Sequence, residues 1–270
     1  MSSNMQRFRN KLAAGQLCLG PGISFSDPAV TEALCDSVDF LWIDLEHNPI
    51  SLESLLGHLI AARAGGAPAL VRVPGSEVSF LKRVLDTGAE GIIVPQVRSA
   101  EEVRSVVAAC RYPPVGTRGY GPRRGSNYGR DGGKEYLQRA NADMFVSVQI
   151  EHVDALNALD NILAVPGLDS VVIGPNDLSG SMGIMGEVKR PEVVEAITTI
   201  ISKARRAGVY AGIGMGPIED SVCQAAQWGA HWVQCGGDYS YMISFADQLY
   251  SRVRKRLGST QHGRKSGNHQ

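Results

Sequence analysis

Two carboxylate side chains directly follow short apolar runs of this sequence and could bind one cation together. Glu151 comes after the run Met144–Ile150, and Asp177 comes after the run Ser170–Ile173, once a Gly-Pro pair has ended it. If the runs are neighbouring parallel strands, their backbones lie roughly 4.8 Å apart, and both acids can reach one ion. Carboxylate and amide oxygens suit Mg²⁺ or Mn²⁺ better than zinc. The alternative is that Asp177 only caps the next helix.

A histidine and an arginine are the other candidates for chemistry. His47 follows two acids, Glu46 one residue and Asp44 three residues earlier, and a carboxylate partner could hold it in one tautomer as a general base; the alternative is a histidine packed on a loop. Arg72 lies between two valines in an apolar run, where its charge must be paired. Its fork suits a carboxylate or the oxygens of a 2-oxo acid. A structural ion pair with Asp44 or Asp86 is the alternative.

Eight short apolar runs must position these side chains. The predicted strands are Leu17–Ser24, Phe40–Leu45, Ala69–Val73, Gly91–Val97, Met144–Ile150, Ser170–Gly174, Val209–Ile213 and His231–Cys235. Helical patterns separate them, which is typical of a parallel sheet covered by helices, and eight units favour a closed (β/α)₈ TIM barrel. The alternative is an open doubly wound sheet, but Leu19–Gly22 does not fit its glycine fingerprint.

The length and composition of the chain agree with one barrel. The chain has 270 residues, and residues 1–257 are predicted to form one domain that begins with a short helix. The polar tail 258–270 is predicted to be disordered. With 27 basic and 27 acidic side chains, we expect neither a nucleic-acid nor a membrane partner. The five cysteines are scattered, without C-x-x-C spacing, which favours a reducing, cytoplasmic location.

None of the predicted strands contains a lysine. A Schiff-base aldolase built on a barrel needs a desolvated strand lysine as its nucleophile. Covalent chemistry at a carbonyl is therefore disfavoured, and a metal-stabilised enolate is favoured.

Several stretches together resemble the HpcH/HpaI aldolase family, the class II pyruvate-dependent aldolases. They cover nearly the whole chain in the family's order: Trp42–His47, Val71–Pro74, Leu85–Ala89, Ile93–Pro95, Arg111–Pro114, Gly116–Gly119, Gln149–Glu151 and Gly174–Ser179. Each stretch alone is a modest signal, and the series is specific.

The resemblance implies roles for the strand-end residues. Glu151 and Asp177 would bind the metal, Mg²⁺ or Mn²⁺ with Co²⁺ as a further candidate. Arg72 and the backbone amides around Asn176 would bind pyruvate. His47, acting with metal-bound water, would be the acid/base, supported by Asp44 or Asp86, and Gln149 would line the site near the metal.

The implied activity is reversible cleavage of a 4-hydroxy-2-oxo acid to pyruvate and an aldehyde. The resemblance also implies a barrel of the phosphoenolpyruvate/pyruvate type that assembles as a homo-oligomer, a trimer or hexamer, by exchanging its last helix. An oxaloacetate-type decarboxylase or a condensing enzyme would use the same enolate and stays an alternative. A non-catalytic barrel is disfavoured because the costly charged groups are all present.

Some positions depart from the family pattern. Gly22 stands where family members commonly have tryptophan, His152 replaces a small polar residue, and Asn48 replaces the glycine that often follows the histidine. The segment 118–130 is rich in arginine. Arg123, Arg124 and Arg130 could select an acidic aldehyde, or could be subunit contacts or solvated loop charges.

Overall fold

Eight parallel strands pair in chain order and close into a barrel in the computed structural model, which describes residues 3–257. The strands are β1 (Cys18–Ile23), β2 (Leu41–Asp44), β3 (Ala69–Arg72), β4 (Gly91–Val94), β5 (Phe145–Ile150), β6 (Ser170–Ile173), β7 (Tyr210–Met215) and β8 (Trp232–Gly237). The predicted (β/α)₈ barrel is confirmed. The predicted disordered tail, residues 258–270, lies outside the described residues.

Twelve α-helices occur in the described part of the chain. They are α1 (Asn4–Ala13), α2 (Pro28–Leu34), α3 (Leu52–Ala64), α4 (Val78–Asp86), α5 (Ala100–Cys110), α6 (Gly133–Asp143), α7 (Val153–Asn157), α8 (Leu159–Leu163), α9 (Pro175–Ser181), α10 (Pro191–Arg206), α11 (Glu219–Trp228) and α12 (Asp238–Arg256). Two 3₁₀ turns add to them, Cys35–Ser37 and Asn127–Gly129. None of these helices combines the length and apolar character needed to cross a membrane.

The sequence signals for helix ends explain several of these bounds. Asp27 accepts a hydrogen bond from the Ala29 amide and Pro28 occupies the first turn of α2, as the Asp-Pro pair predicts. Ser51 caps α3 and Ser99 caps α5 in the same way. The sequence also predicts that Ser76 caps the helix after the third strand; this is wrong, since α4 begins at Val78 and its N-cap residue is Glu77.

The short N-terminal helix closes one end of the barrel. Met5, Phe8 and Leu12 of α1 are buried in one cluster with aromatic side chains of the strands. The Phe8 ring lies 5.5 Å from Phe40 and 5.6 Å from Phe145, centroid to centroid. Aromatic packing of this kind excludes water from the N-terminal ends of the strands. The open end is therefore the C-terminal end, where the predicted site residues lie.

Candidate functional site

A cleft of about 650 Å³ opens at the C-terminal ends of the strands. Six of the eight residues predicted for the site line it: Asp44, His47, Arg72, Gln149, Asn176 and Asp177. Glu151 contacts one of these six, as described below. Polar residues converge here because all strands of a parallel barrel end on the same face. The structure thus brings together side chains that are up to 133 positions apart, from Asp44 to Asp177.

Arg72 is fixed by two carboxylates on the neighbouring strand and its loop. Asp44 and Arg72 are direct partners in the register of β2 and β3, which places their side chains side by side. The Arg72 Nε and Nη2 atoms donate to the two Asp44 oxygens, each at 2.8 Å, and Nη1 lies 2.9 Å from Glu46 Oε2. The guanidinium also stacks on Trp42, 5.2 Å from the ring centroid. The expected ion pair with Asp44 is therefore present inside the cleft.

The electrostatics of Arg72 favour its charged form. Burial works against the charge, but the hydrogen bonds and charges of Asp44 and Glu46 outweigh it, so the pKa of Arg72 is raised. The two hydrogen bonds to Asp44 use two of the five guanidinium N–H groups, whereas the Nη1 contact with Glu46 is an ion pair without a hydrogen bond. At least one N–H on each terminal nitrogen therefore stays available to a ligand in the cleft.

The loop after β2 is held by hydrogen bonds to Asp44. Its carboxylate accepts from the Asn48 side chain at 2.6 Å and from the Glu46 amide at 3.1 Å. His47 Nε2 lies 3.6 Å from Glu46 Oε2, with the His47 side chain 63% exposed. Glu46, the nearer of the two acids that precede His47, therefore stands beside the imidazole, where the resemblance implied Asp44 or Asp86.

Glu46 is an unusual carboxylate in its own right. Burial raises its pKa, as do the charges of Asp44 and Asp177, while Arg72 and His47 act in the opposite direction. The sequence could place Glu46 at a strand end, but which of two acids in Asp44-x-Glu46-His47 meets the imidazole depends on the loop conformation.

Glu151 is buried between an amide side chain and a backbone amide. The Gln96 N–H donates to Oε1 at 2.8 Å, and the Gln149 amide donates to Oε2. Burial raises the pKa of Glu151 to about 7, and the charges of Asp177 and Glu46 add to burial, against the opposing effects of the Gln96 N–H and Arg72. A cation bound nearby would stabilise the ionised form of this carboxyl.

Gln96 adopts a backbone conformation that is rare for a residue with a side chain. Its φ is +58°, in the left-handed region. That conformation turns its N–H toward Glu151. The sequence gives no sign of this role, because nothing in the residue type signals a backbone donor.

The donor set fits a hard divalent cation better than zinc. The Gln149 Oε1 atom is buried and, among residues 3–257, has no hydrogen-bond partner. Within the same residues no group of three or more His, Cys, Asp and Glu side chains is gathered as a metal cluster. The available donors are thus two carboxylates, Glu151 and Asp177, and one amide oxygen. Such a set, completed by water and substrate oxygens, is typical of Mg²⁺.

Asp86 and the arginine-rich segment lie apart from this cleft. Asp86 is the last residue of α4 and pairs with Arg118 at 3.4 Å, while Arg118 stacks on Tyr112 at 4.5 Å. Arg124 donates to the Leu59 carbonyl at 2.9 Å. Neither Asp86 nor the segment's three candidate arginines, Arg123, Arg124 and Arg130, lines the described cleft. In one chain, therefore, Asp86 is not brought to His47.

A parallel barrel with a charged cleft at its C-terminal face is the architecture of TIM-barrel enzymes, and comparison with known proteins narrows the class. Residues 24–244 match the family described as HpcH/HpaI aldolase/citrate lyase. The chain is 38% identical to the hydroxypyruvate/pyruvate aldolase of Roseovarius nubinhibens over 257 residues, covering 94% of this chain and 99% of the relative. It is 34% identical to the 5-keto-4-deoxy-D-glucarate aldolase of Klebsiella pneumoniae, covering 92% and 97%.

A solved structure agrees. The HpcH/HpaI aldolase from Desulfitobacterium hafniense superposes with a TM-score of 0.84 at 31% identity, covering 91% of this chain and 96% of that one. This chain belongs to the HpcH/HpaI aldolase/citrate lyase family. It is a carbon–carbon lyase of that family, as the resemblance of its motifs predicts.

Proposed function

We propose that this protein is a divalent-metal-dependent aldolase that reversibly cleaves a 4-hydroxy-2-oxo acid to pyruvate and an aldehyde. The observation that carries the proposal is the buried Arg72, oriented by two carboxylates in the same cleft as a protonatable Glu151. The relatives' names, which include aldolases acting on pyruvate and on a keto-deoxy sugar acid, support the substrate class.

Arg72 is assigned to the 2-oxo acid. The N–H groups of Arg72 that do not bond Asp44 can donate to the carboxylate or the 2-oxo oxygen of pyruvate. Such hydrogen bonds are strengthened by the charge of the guanidinium. Because Asp44 and Glu46 hold the guanidinium before the substrate arrives, little ordering is left to do on binding. The amides around Asn176, at the start of α9 on the same rim, are assigned to the same substrate.

Glu151 and Asp177 are assigned to the metal, with Gln149 beside them. Mg²⁺ or Mn²⁺ fits the oxygen donors, and Co²⁺ is a further candidate. When bound, such an ion would withdraw charge from the 2-oxo oxygen and so lower the barrier to carbon–carbon cleavage. Gln149 keeps Glu151 oriented by donating to one carboxylate oxygen.

His47 is assigned to proton transfer. In cleavage it takes the proton from the C4 hydroxyl, directly or through water, and the C3–C4 bond breaks to release the aldehyde. The electron pair of that bond moves toward the 2-oxo group, whose charge Arg72 balances, and the proton returns to C3 to give pyruvate. Glu46 Oε2 lies 3.6 Å from the His47 Nε2 atom. The role expected for Asp86 stays a prediction.

The assembly is proposed to be a homo-oligomer, a trimer or hexamer, of a single-domain barrel. Along α12 only Asp238 is buried, and apolar side chains at helical spacing are exposed: Tyr239, Met242, Ile243, Leu249, Tyr250 and Val253. A stripe of this kind is typical of a helix that packs on a partner. A second copy of this chain, as in the expected exchange of the last helix, is the proposed partner. All five cysteines are unpaired, which supports the cytoplasmic location.

A cleavage assay tests the proposed reaction. The protein is incubated with 4-hydroxy-2-oxovalerate and Mn²⁺, and pyruvate is measured by its reduction to lactate with NADH. We expect turnover that stops with EDTA and resumes with added Mn²⁺. Oxaloacetate is tested in parallel, because the decarboxylase alternative also releases pyruvate. Turnover of oxaloacetate without any cleavage of hydroxy-oxo acids would overturn the aldolase proposal in favour of that alternative.

A further inference from the structure

On the side of the cleft away from the charged groups, glycines lie among a few uncharged side chains, which include Met215, Pro217 and Tyr239. Gly22 lies near the end of β1, Gly214 lies near the end of β7 and Gly216 follows that strand, and all three border the cleft. The charged residues come from β2, β3, β5 and the turn after β6 instead. The cleft therefore has a charged half and a glycine-lined half.

One polar side chain projects into the glycine-lined half. Gln234 belongs to β8, which pairs with β7 on one side and with β1 on the other. In the β7–β8 register, Gln234 is the partner of Gly214. A Cβ added at Gly22 would lie 3.2 Å from the Gln234 Nε2, and one added at Gly214 would lie 3.1 Å from Oε1. The Gln234 amide thus occupies the space that side chains at both glycines would need.

The Gln234 amide is held but not saturated. Its Nε2 donates one hydrogen to the Gly236 carbonyl, which fixes the plane of the amide. The second hydrogen of Nε2 and the lone pairs of Oε1 then remain for a ligand in the cleft. The rim above adds Ser24 and Ser240, two further hydroxyl groups that border the same cleft.

The charge of the cleft limits which ligand can bind there. Arg72 is the only lysine or arginine among its lining residues in the described chain, and its charge is balanced by Asp44 and Glu46. Asp238, buried at the base of α12, accepts hydrogen bonds from the Ser24 and Phe25 amides next to this half. A second carboxylate on the ligand would meet no lysine or arginine among the described lining residues of this half.

We propose that Gln234, flanked by Gly22 and Gly214, forms the binding subsite for the aldehyde and selects a neutral, hydroxylated aldehyde over an acidic or an unsubstituted one. This proposal rests on the proposed aldolase function and adds the class of the second substrate. Gln234 hydrogen-bonds the hydroxyl next to the aldehyde carbon, and the two glycines leave room for the Gln234 amide to stand at the cleft. The aldehyde's own oxygen points toward His47.

The test compares acceptor aldehydes in the condensation direction. Pyruvate and Mn²⁺ are combined with propanal, glycolaldehyde, D-glyceraldehyde or succinic semialdehyde, and kcat/KM is measured for each in the wild-type protein and in Gln234→Met. We expect the wild type to prefer both hydroxyaldehydes. In Gln234→Met the ratio of kcat/KM for glycolaldehyde over propanal should fall about tenfold, the scale of one lost hydrogen bond.

A second variant guards against a folding defect. Gly22→Ala places a methyl group against the Gln234 amide and narrows the subsite. It should lower kcat/KM for D-glyceraldehyde more than for the smaller glycolaldehyde. An unchanged glycolaldehyde-to-propanal ratio in Gln234→Met, or a wild-type preference for succinic semialdehyde, would overturn the proposal.

The readout separates this proposal from the aldolase function. Deuterium exchange of the pyruvate methyl group needs no aldehyde, so it reports the charged half alone. If Gln234→Met exchanges the pyruvate methyl protons and keeps the wild-type ratio of kcat/KM for glycolaldehyde over propanal, only the proposed aldehyde subsite is refuted. Absence of both exchange and condensation in the wild-type protein refutes the aldolase function itself.

Discussion

At the scale of single residues, the geometry of Arg72 explains why a lysine could not replace it. The two parallel bonds to Asp44 use the edge of the guanidinium, and the third contact to Glu46 uses another nitrogen. A lysine ammonium offers a point charge without this fork. It could pair with one carboxylate but could not hold both and also present an N–H to the substrate.

Arg72→Lys should therefore lower kcat/KM for cleavage by about 100-fold or more, since a buried, charged hydrogen-bond network is broken while charge is retained. The matched control is Arg98→Lys, whose side chain is 56% exposed and 3.9 Å from Asp154. The control should keep kcat/KM within about twofold, as expected of surface pairs. Equal activity of both variants would remove Arg72 from the site.

Glu151, as the proposed metal ligand, should make metal affinity depend on pH. Metal binding needs the ionised carboxylate, and the pKa of Glu151 is raised to about 7 in the metal-free protein. Mn²⁺ should therefore bind about tenfold more weakly at pH 6 than at pH 8, measured by titration calorimetry. In Glu151→Gln, binding should be weak at both pH values. An affinity that is flat between pH 6 and pH 8 would contradict the assigned ligand.

The same shift has a consequence for stability. A carboxyl whose folded pKa is raised contributes stability that is present below its unfolded pKa, 4.5, and lost as pH rises through about 7. The metal-free protein thus loses this contribution between those values, and Mn²⁺ restores more at high pH. The rise in Tm on adding Mn²⁺ should be larger at pH 8 than at pH 6.

At the scale of elements, the turn from β6 into α9 sets the spacing between the two acids. Gly174 separates the strand from the helix, and a Cβ there would lie 2.6 Å from Glu151 Oε2 and 2.8 Å from the Gln149 amide nitrogen. Only a residue without a side chain lets the turn approach Glu151 so closely. The Gly-Pro pair is thus a requirement of the site as well as the end of a strand.

Gly174→Ala should push Glu151 and Gln149 out of place. We expect Mn²⁺ affinity to fall at least about tenfold and Tm to drop by several degrees, which calorimetry and thermal unfolding can follow. Gly132→Ala is the matched control, because a Cβ at Gly132 meets nothing within 4 Å and its φ is −153°. A Gly174→Ala protein that binds Mn²⁺ like the control would count against this account.

Sequence periodicity predicted the strands well because they are short apolar runs, four of which, β2, β4, β5 and β6, are buried at every residue. It missed α9, because Gly174-Pro175 signals the end of a strand and the helix of seven residues that follows is too short for a periodic pattern. The pairing of Asp44 with Arg72 was among the alternatives, since neighbouring strands place it. The contacts of Glu46 and Gln96 depend on loop dihedral angles that residue types do not encode.

At the scale of the whole molecule, α12 is a long helix that buries only Asp238 within one chain. It extends from the barrel after its first turn, and its exposed stripe includes Ile243 at 56% and Tyr250 at 55%. Burying such side chains in a partner removes apolar surface from water and stabilises the assembly. Asp238, which caps the loop after β1, links this helix to the cleft.

Aspartate on the α12 stripe should dissociate the assembly. In the double variant Ile243→Asp and Tyr250→Asp, light scattering after size exclusion should show a smaller species than the wild type, because charges would be buried in the interface. The control is Val115→Asp, on a side chain that is 65% exposed away from α12. A monomeric wild-type protein, or an unchanged mass in the double variant, would contradict the proposed role of α12.

The measurement that tests the central claim most directly is exchange of the pyruvate methyl protons in D₂O, followed by NMR. It requires only the charged half of the cleft and no knowledge of the aldehyde. We expect exchange with Mg²⁺ or Mn²⁺ that stops with EDTA and is lost in Glu151→Gln and Arg72→Lys. Exchange that survives EDTA, or no exchange with any of these metals in folded wild-type protein, would contradict the assignment of this cleft to metal-dependent pyruvate chemistry.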